Sequence, residues 1–248
     1  MLPLRQFRRA EPALLLGVAL VLLVVSGLSP YDRTTWLLEV FPILIAAPIL
    51  ALTARRFPLT PLAYRLVFLH ACILMLGGHY TYARVPLGFW LQDALHLARN
   101  PYDRIGHLAQ GFVPAIVARE ILLRRSPLRP GKWLFYLVTA VCLAVSACYE
   151  LVEWWAAVAG GSAADAFLGT QGDPWDTQWD MCMALVGALA AQLLLAGVHD
   201  RELARLADGV SFWRGAGTGD KIGAQPLRRS AHVDGHDESA GRAGHEGA

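Results

Sequence analysis

An all-α membrane protein is the fold class this sequence predicts, and three observations predict it. The 248 residues are 55% hydrophobic and only 17% charged, with a mean hydropathy of +0.38, too apolar for an ordinary soluble domain. The apolar residues gather into six long runs separated by short polar or proline-containing segments. The basic residues cluster between alternate runs, as the positive-inside rule requires. The expectation is a six-span helical bundle with one interfacial amphipathic helix and a disordered C-terminal tail. The lipid bilayer is the partner this composition implies. A net charge of +2 provides no global field for nucleic acid.

Residues 1–11, with Arg5, Arg8 and Arg9, form a cytoplasmic N-terminus. The first span lies near 13–29. A basic start before an apolar run also describes a signal peptide, but the small-residue site after Val25 is poor and more apolar runs follow, which favours an uncleaved span. The second span lies near 36–53 and contains Pro42, Pro48 and Glu39. Packed neighbours recover the carbonyls that such prolines free. The third, near 62–79, ends in Gly77-Gly78-His79-Tyr80.

Val85–Asn100, VPLGFWLQDALHLARN, is too short and polar to cross. As a helix it gathers Trp90, Leu91, Ala94, Leu95 and Leu97 on one side and Gln92, Asp93, His96 and Arg99 on the other, so it reads as lying in the interface. The fourth, fifth and sixth spans lie near 106–123, 133–158 and 179–198, completing one transmembrane domain over 12–198. Each span is roughly 18–26 residues, enough to cross a hydrocarbon core of about 30 Å. Residues 199–248 form a cytoplasmic tail. His199–Ala207 extends the last span as a short amphipathic helix, and from about Gly215 the composition cannot bury enough surface to offset the entropy of ordering.

Arginine placement sets the orientation. Arg5, Arg8 and Arg9, then Arg55 and Arg56, then Arg124, Arg125, Arg129 and Lys132, then Arg201 and Arg205 all fall on one side of a six-span chain. Both termini are therefore expected in the cytoplasm. Cys72, Cys142, Cys148 and Cys182 lie in apolar runs without a CxxC pair or zinc spacing, and read as small packing residues.

With that orientation the unusual polar residues collect on the outer side. His79 ends the third span. Asp103 and His107 open the fourth, four apart and so on one face, with Arg104 beside them, Gln110 a turn further in, and Gly111 admitting a close neighbour. Glu150 and Glu153 share a face of the fifth. The stretch GTQGDPWDTQWD brings Asp173, Asp176 and Asp180 to the start of the sixth. Ionisable groups inside membrane spans are costly and point to function.

The catalytic candidates are Glu150, Glu153, His107 and Asp103. His107, Glu150, Asp176 and Asp180 are candidate ligands, because carboxylates and imidazole suit a divalent metal ion. His79, Arg104, Gln110 and Asp173 are expected around them. Each also has a structural explanation. Asp173 or Asp176 can make Asx turns or cap a helix, Asp103 can cap the fourth span, Glu150 can pair with Arg104, and Trp154, Trp155, Trp175 and Trp179 suit an aromatic belt. Arg119 and Glu120, in the inner half, can pair with each other or with the cytoplasmic loop. EF-hand, HExxH, nucleophile-elbow, P-loop and GxGxxG patterns are absent.

The blocks PYDRIGHLAQGFVPAIVARE, YELVEWW and GTQGDPWDTQWDMCMALVGA resemble the YjdF family of bacterial inner-membrane proteins, over roughly Trp36 to Leu195. The resemblance implies a multi-pass inner-membrane protein and supplies no activity. A second resemblance, on fewer residues, is to VanZ-like membrane proteins, where Asp103-Arg104, His107, Glu150 or Glu153, and Asp176 or Asp180 match in order. Arg104 stands where that family often has Lys, and the sixth span has no matching Asn. Cell-envelope chemistry is what this second resemblance implies.

Three functions remain open at this point. One is an outward-facing polar site, metal-dependent or acid–base, acting on a lipid or cell-envelope precursor. The others are an ion-binding or transport protein and a non-enzymatic scaffold with the acidic loop as docking surface. The lack of midplane charges counts against transport.

Overall fold

A computed structural model of the protein describes residues 4–160 and 170–217. Beyond Gly217 the tail expected to be disordered lies outside the described residues, as do residues 161–169 of the acidic loop. The chain's contacts divide into two units, residues 1–210 and 211–248, and the helical bundle is the first. Among the described residues there are seven α-helices and no strand: α1 Leu4–Ser26, α2 Arg33–Thr53, α3 Pro61–Tyr80, α4 Pro86–Ala94, α5 Tyr102–Arg125, α6 Lys132–Gly160 and α7 Asp176–Gly217. A 3-10 turn, Tyr82–Arg84, joins α3 to α4.

Four helices are long and apolar enough to cross a membrane: Arg33–Thr53, Pro61–Tyr80, Lys132–Ala159 and Asp176–Ala207. Of the other two predicted spans, Ala10–Ser26 is apolar but shorter, and α5 carries Asp103, Arg104, Arg119, Glu120, Arg124 and Arg125. The packing is that of a bilayer protein. Leu52 is 80% exposed and Leu193 74%, while Glu120 and His199 are fully buried. In hydrocarbon the apolar side chains face out and the polar groups must find partners inside. Exposed Trp133 and Trp154 mark the two ends of α6, about 30 Å apart at 1.5 Å per residue, which matches a bilayer core.

Local chemistry sets the helix ends. Asp32 caps α2 by accepting the Thr35 N–H at 2.7 Å, which holds its carboxyl below the usual range. Thr60 caps α3, with Pro61 in its first turn. The helix expected at the interface is shorter than the sequence suggests. It ends at Ala94, and His96 takes a left-handed conformation, φ +52°, so His96 and Arg99 are not on its polar face. Buried Asn100 organises the turn instead. It accepts from Tyr102 N (3.0 Å), donates to the Val85 carbonyl (3.1 Å), and exchanges two bonds with Gln171, 3.1 and 2.9 Å.

Small residues set the helix spacing. Ala63, Ala115, Cys142, Ala188 and Ala191 line the core between α3, α5, α6 and α7, where small side chains let helices approach. The close approach expected at Gly111 is present. A Cβ there would lie 1.8 Å from the Ala184 carbonyl oxygen, and one at Gly187 2.1 Å from that of Leu108.

Near the Arg-rich end, Glu120 ties α3, α5 and α7 together. It accepts from Thr60 N (3.1 Å) and Oγ (2.8 Å), from His199 Nε2 (3.1 Å) and from Arg124 (2.5 Å). Arg119 does not pair with Glu120. Its Nη1 donates to His199 Nδ1 at 3.0 Å and reaches Asp200 at 2.8 Å. Arginine can only donate, so His199 accepts at Nδ1 and carries its proton on Nε2.

Two outcomes are expected in detergent. Gly111→Leu forces α5 and α7 apart and costs at least about 1–3 kcal/mol by thermal unfolding, whereas Gly17→Leu, which meets nothing within 4 Å, leaves the midpoint unchanged or higher. Glu120→Ala strands several buried donors and costs about 3–5 kcal/mol in the same measurement.

Candidate metal centre

At the opposite end of the bundle three helices turn ionisable side chains onto one another. Asp103 and His107 come from α5, Glu150 and Glu153 from α6, and Asp180 from α7, all of them buried. The His107 ring is the hub. Its Nε2 lies 3.6 Å from Asp103 Oδ1 and 3.8 Å from Asp180 Oδ2. Its Nδ1 lies 3.0 Å from Gln110 Oε1 and 3.7 Å from Glu150 Oε1. An amide oxygen only accepts, so Nδ1 carries the proton and the Nε2 lone pair faces two carboxylates.

The three carboxylate separations exceed a hydrogen bond. They sit near the roughly 3.4 Å between two donors bound at about 2.1 Å to one tetrahedral ion. Donor atoms of Asp103, His107 and Asp180 lie within 4.8 Å of one another, as do those of His107, Glu150 and Glu153. Among the described residues, Asp103 Oδ2, Glu150 Oε1 and Asp180 Oδ1 are buried and accept no hydrogen bond, and Ser146 Oγ, a turn from Glu150, has no partner.

Asp176 and Asp173 form a rim beside this cluster. Asp176 is ion-paired with Arg99 Nη2. Arg99 Nη1 donates to the Thr170 carbonyl at 2.6 Å. Arg104 pairs with Asp173 at 3.0 Å rather than with Glu150, and lies 5.0 Å over the Trp179 ring. Asp173 also makes the expected Asx turn, accepting from Trp175 N at 2.9 Å. Asp103 makes no cap hydrogen bond, because Pro101 holds the cap position of α5. His79 lies elsewhere, its Nδ1 donating to the Ser26 carbonyl at 2.8 Å.

Buried Glu39 joins the cluster, and half-buried His70 lies on the neighbouring α3, neither among the candidate site residues the sequence offers. Glu39 of α2 accepts from Tyr149 OH at 3.3 Å, and the Tyr149 ring packs edgewise on His107. The Tyr82 ring is seated where Gly77 and Gly106 lack side chains. Burial, then nearby Glu39, holds its phenol well above the usual range. His70 of α3 buries Nε2 with no partner. The signal for both was available: an ionisable residue inside an apolar run deserves the weight given to Glu150.

Comparison with known proteins agrees with the membrane architecture. The sequence profile of a family described as predicted membrane protein, DUF2238, matches residues 11–201. The chain is 56% identical over 201 residues to the inner membrane protein YjdF of Escherichia coli (strain K12), covering 80% of this chain and 96% of that one. No solved structure matches. The family match covers most of the bundle, with Asp103, His107, Glu150 and Asp180 inside it, and the protein belongs to the DUF2238 family of membrane proteins.

Proposed function

We propose that the protein crosses the inner membrane six times, with both termini cytoplasmic, and holds a divalent metal through Asp103, His107 and Asp180 at its outward end. One observation carries the metal reading. The buried charges around Glu120 are saturated with hydrogen bonds, whereas three carboxylate oxygens around His107 have none. Imidazole with carboxylates suits Zn²⁺ or Mn²⁺ better than Ca²⁺ or Mg²⁺. For the topology, α5 has 24 residues, about 36 Å, and its charges are largely turned inward against partners. The Arg clusters at the Glu120 end favour the cytoplasm for that side.

A metal bound there would polarise an ester or phosphoryl oxygen and make a bound water a better nucleophile. Gln110 fixes the His107 tautomer. Glu150, on the Nδ1 side of the ring, and Glu153 next to it are placed to take up and return a proton. This fits hydrolysis or group transfer on a lipid or cell-envelope precursor. Transport is less favoured, because Cys142, Ala188 and Ala191 pack the space between the two polar clusters.

Elemental analysis of the purified protein is expected to find about one equivalent of metal, lost in His107→Ala and Asp180→Asn. Metal-free Asp180→Asn melts at or above metal-free wild type, because an unpartnered buried charge has been removed. A structural network predicts the reverse, a fall like that of Glu120→Ala. Absence of metal both as purified and after reloading with Zn²⁺ or Mn²⁺ would sink the metal reading.

A further inference from the structure

Next to the candidate metal centre lies a surface hollow of about 330 Å³, lined by Leu97, Arg99, Arg104, Gln171, Gly172 and Asp173 among others. Two guanidinium groups meet there at the end of the bundle where acids dominate. Among the described residues, Arg99 Nε and Arg104 Nε are buried and donate to nothing, and a stranded buried donor is costly. Both side chains are held in place, Arg99 by the Thr170 carbonyl and Asp176, Arg104 against Trp179.

The charged group now between them is Asp173. Its Oδ2 lies 3.0 Å from Arg104 and 3.8 Å from Arg99. It follows Gln171 and Gly172, which both have positive φ, so it sits on a turn rather than on a helix. The planar fork of arginine matches the oxygens of a phosphate group, and two forks on one hollow are a phosphate-recognising arrangement. Leu97, Trp175 and Trp179 are exposed beside it, an apolar rim of the kind an acyl chain would lie against. Arg104 adjoins Asp103, and Asp176 lies one turn from Asp180, so a group held here borders the proposed metal ligands.

We infer that this hollow binds a phosphate ester, Arg99 and Arg104 gripping its oxygens in place of the Asp173 carboxylate. The inference rests on the proposed function, for which it supplies the substrate class, a phosphate-bearing headgroup. Its test does not depend on metal.

The test is calorimetric titration of the full-length, detergent-purified protein, with and without chelator. The probes are inorganic phosphate, dihexanoyl phosphatidic acid and, as the phosphate-free control, dihexanoylglycerol. The two phosphate probes are expected to bind and the control not. Arg104→Gln weakens binding about tenfold or more. Asp173→Asn tightens it, because the competing carboxylate is gone, and this variant tests the idea even if Arg104→Gln folds poorly. Phosphatidic acid binding more tightly than phosphate supports a lipid headgroup; equal or weaker binding supports a free phosphate at the same site. No binding, or both variants binding like wild type, overturns the proposal. Chelator separates the two readings: loss of the metal reading leaves phosphate binding unchanged, and loss of phosphate binding leaves the metal content unchanged.

Discussion

Where α5 and α7 touch backbone to backbone, at Gly111 against Ala184 and Gly187 against Leu108, the position of almost every buried charge is set. α5 contributes Asp103, His107 and Gln110 on one side of the contact and Arg119, Glu120 and Arg124 on the other. α7 contributes Asp176 and Asp180, then His199 and Asp200. His107 is about one helical turn from the crossing and Glu120 about two and a half. A side chain at Gly111 would therefore displace both clusters, because helices packed this closely transmit a shift to their ends. Two short-range polar arrangements depend on one apolar contact that bears no charge.

The two clusters obey the same rule differently. In hydrocarbon an unmet polar group costs several kcal/mol, so spans carry few charges and surround those they keep. Glu120 meets the rule, with donors from three helices and a neutral His199 between it and Arg119. The cluster around His107 does not. Asp103, Glu150 and Asp180 bury oxygens that accept no hydrogen bond among the described residues. At an effective dielectric of about 20, two carboxylates 4 Å apart repel by about 4 kcal/mol. Such a set is under tension unless positive charge enters it, from protons or from a metal ion.

Much of this geometry could be read from spacing. Asp103 with His107 and Glu150 with Glu153 lie at helical intervals, and the alternation of spans brings their ends together. That logic placed Gln110 and Asp180 beside them, while Asp176 and Asp173 went to Arg99 and Arg104 on the rim. Spacing alone cannot show which way a ring points, so whether Asp103 or Glu150 faces Nε2 needed coordinates. Arg99 was placed on an amphipathic helix because its periodicity continues past Ala94. The left-handed His96 and the Asn100–Gln171 exchange broke that helix and turned Arg99 toward Asp176. Glu39 is the one ionisable residue of its span and His70 has no ionisable neighbour three or four residues away, so neither has an interval to reveal its face. Only packing against Tyr149 brought Glu39 to the site.

The orientation of His107 bears most directly on what the cluster is for. With Nδ1 donating to Gln110, the Nε2 lone pair faces two carboxyl groups that, when ionised, also only accept. Three acceptors directed at one point repel one another. A proton on Nε2 would relieve this by drawing one carboxylate into a charge-assisted bond near 2.8 Å, yet both stand at 3.6 and 3.8 Å. A cation held by Asp103, His107 and Asp180, as proposed, would satisfy all three acceptors at once and would need that wider spacing. The carboxylates across the ring are in a different position. Glu150 faces a nitrogen whose proton is already given to Gln110, so it is free to exchange protons. The ring thus separates a side suited to holding a cation from a side suited to moving protons, and the arginine-lined hollow opens beside the first of these.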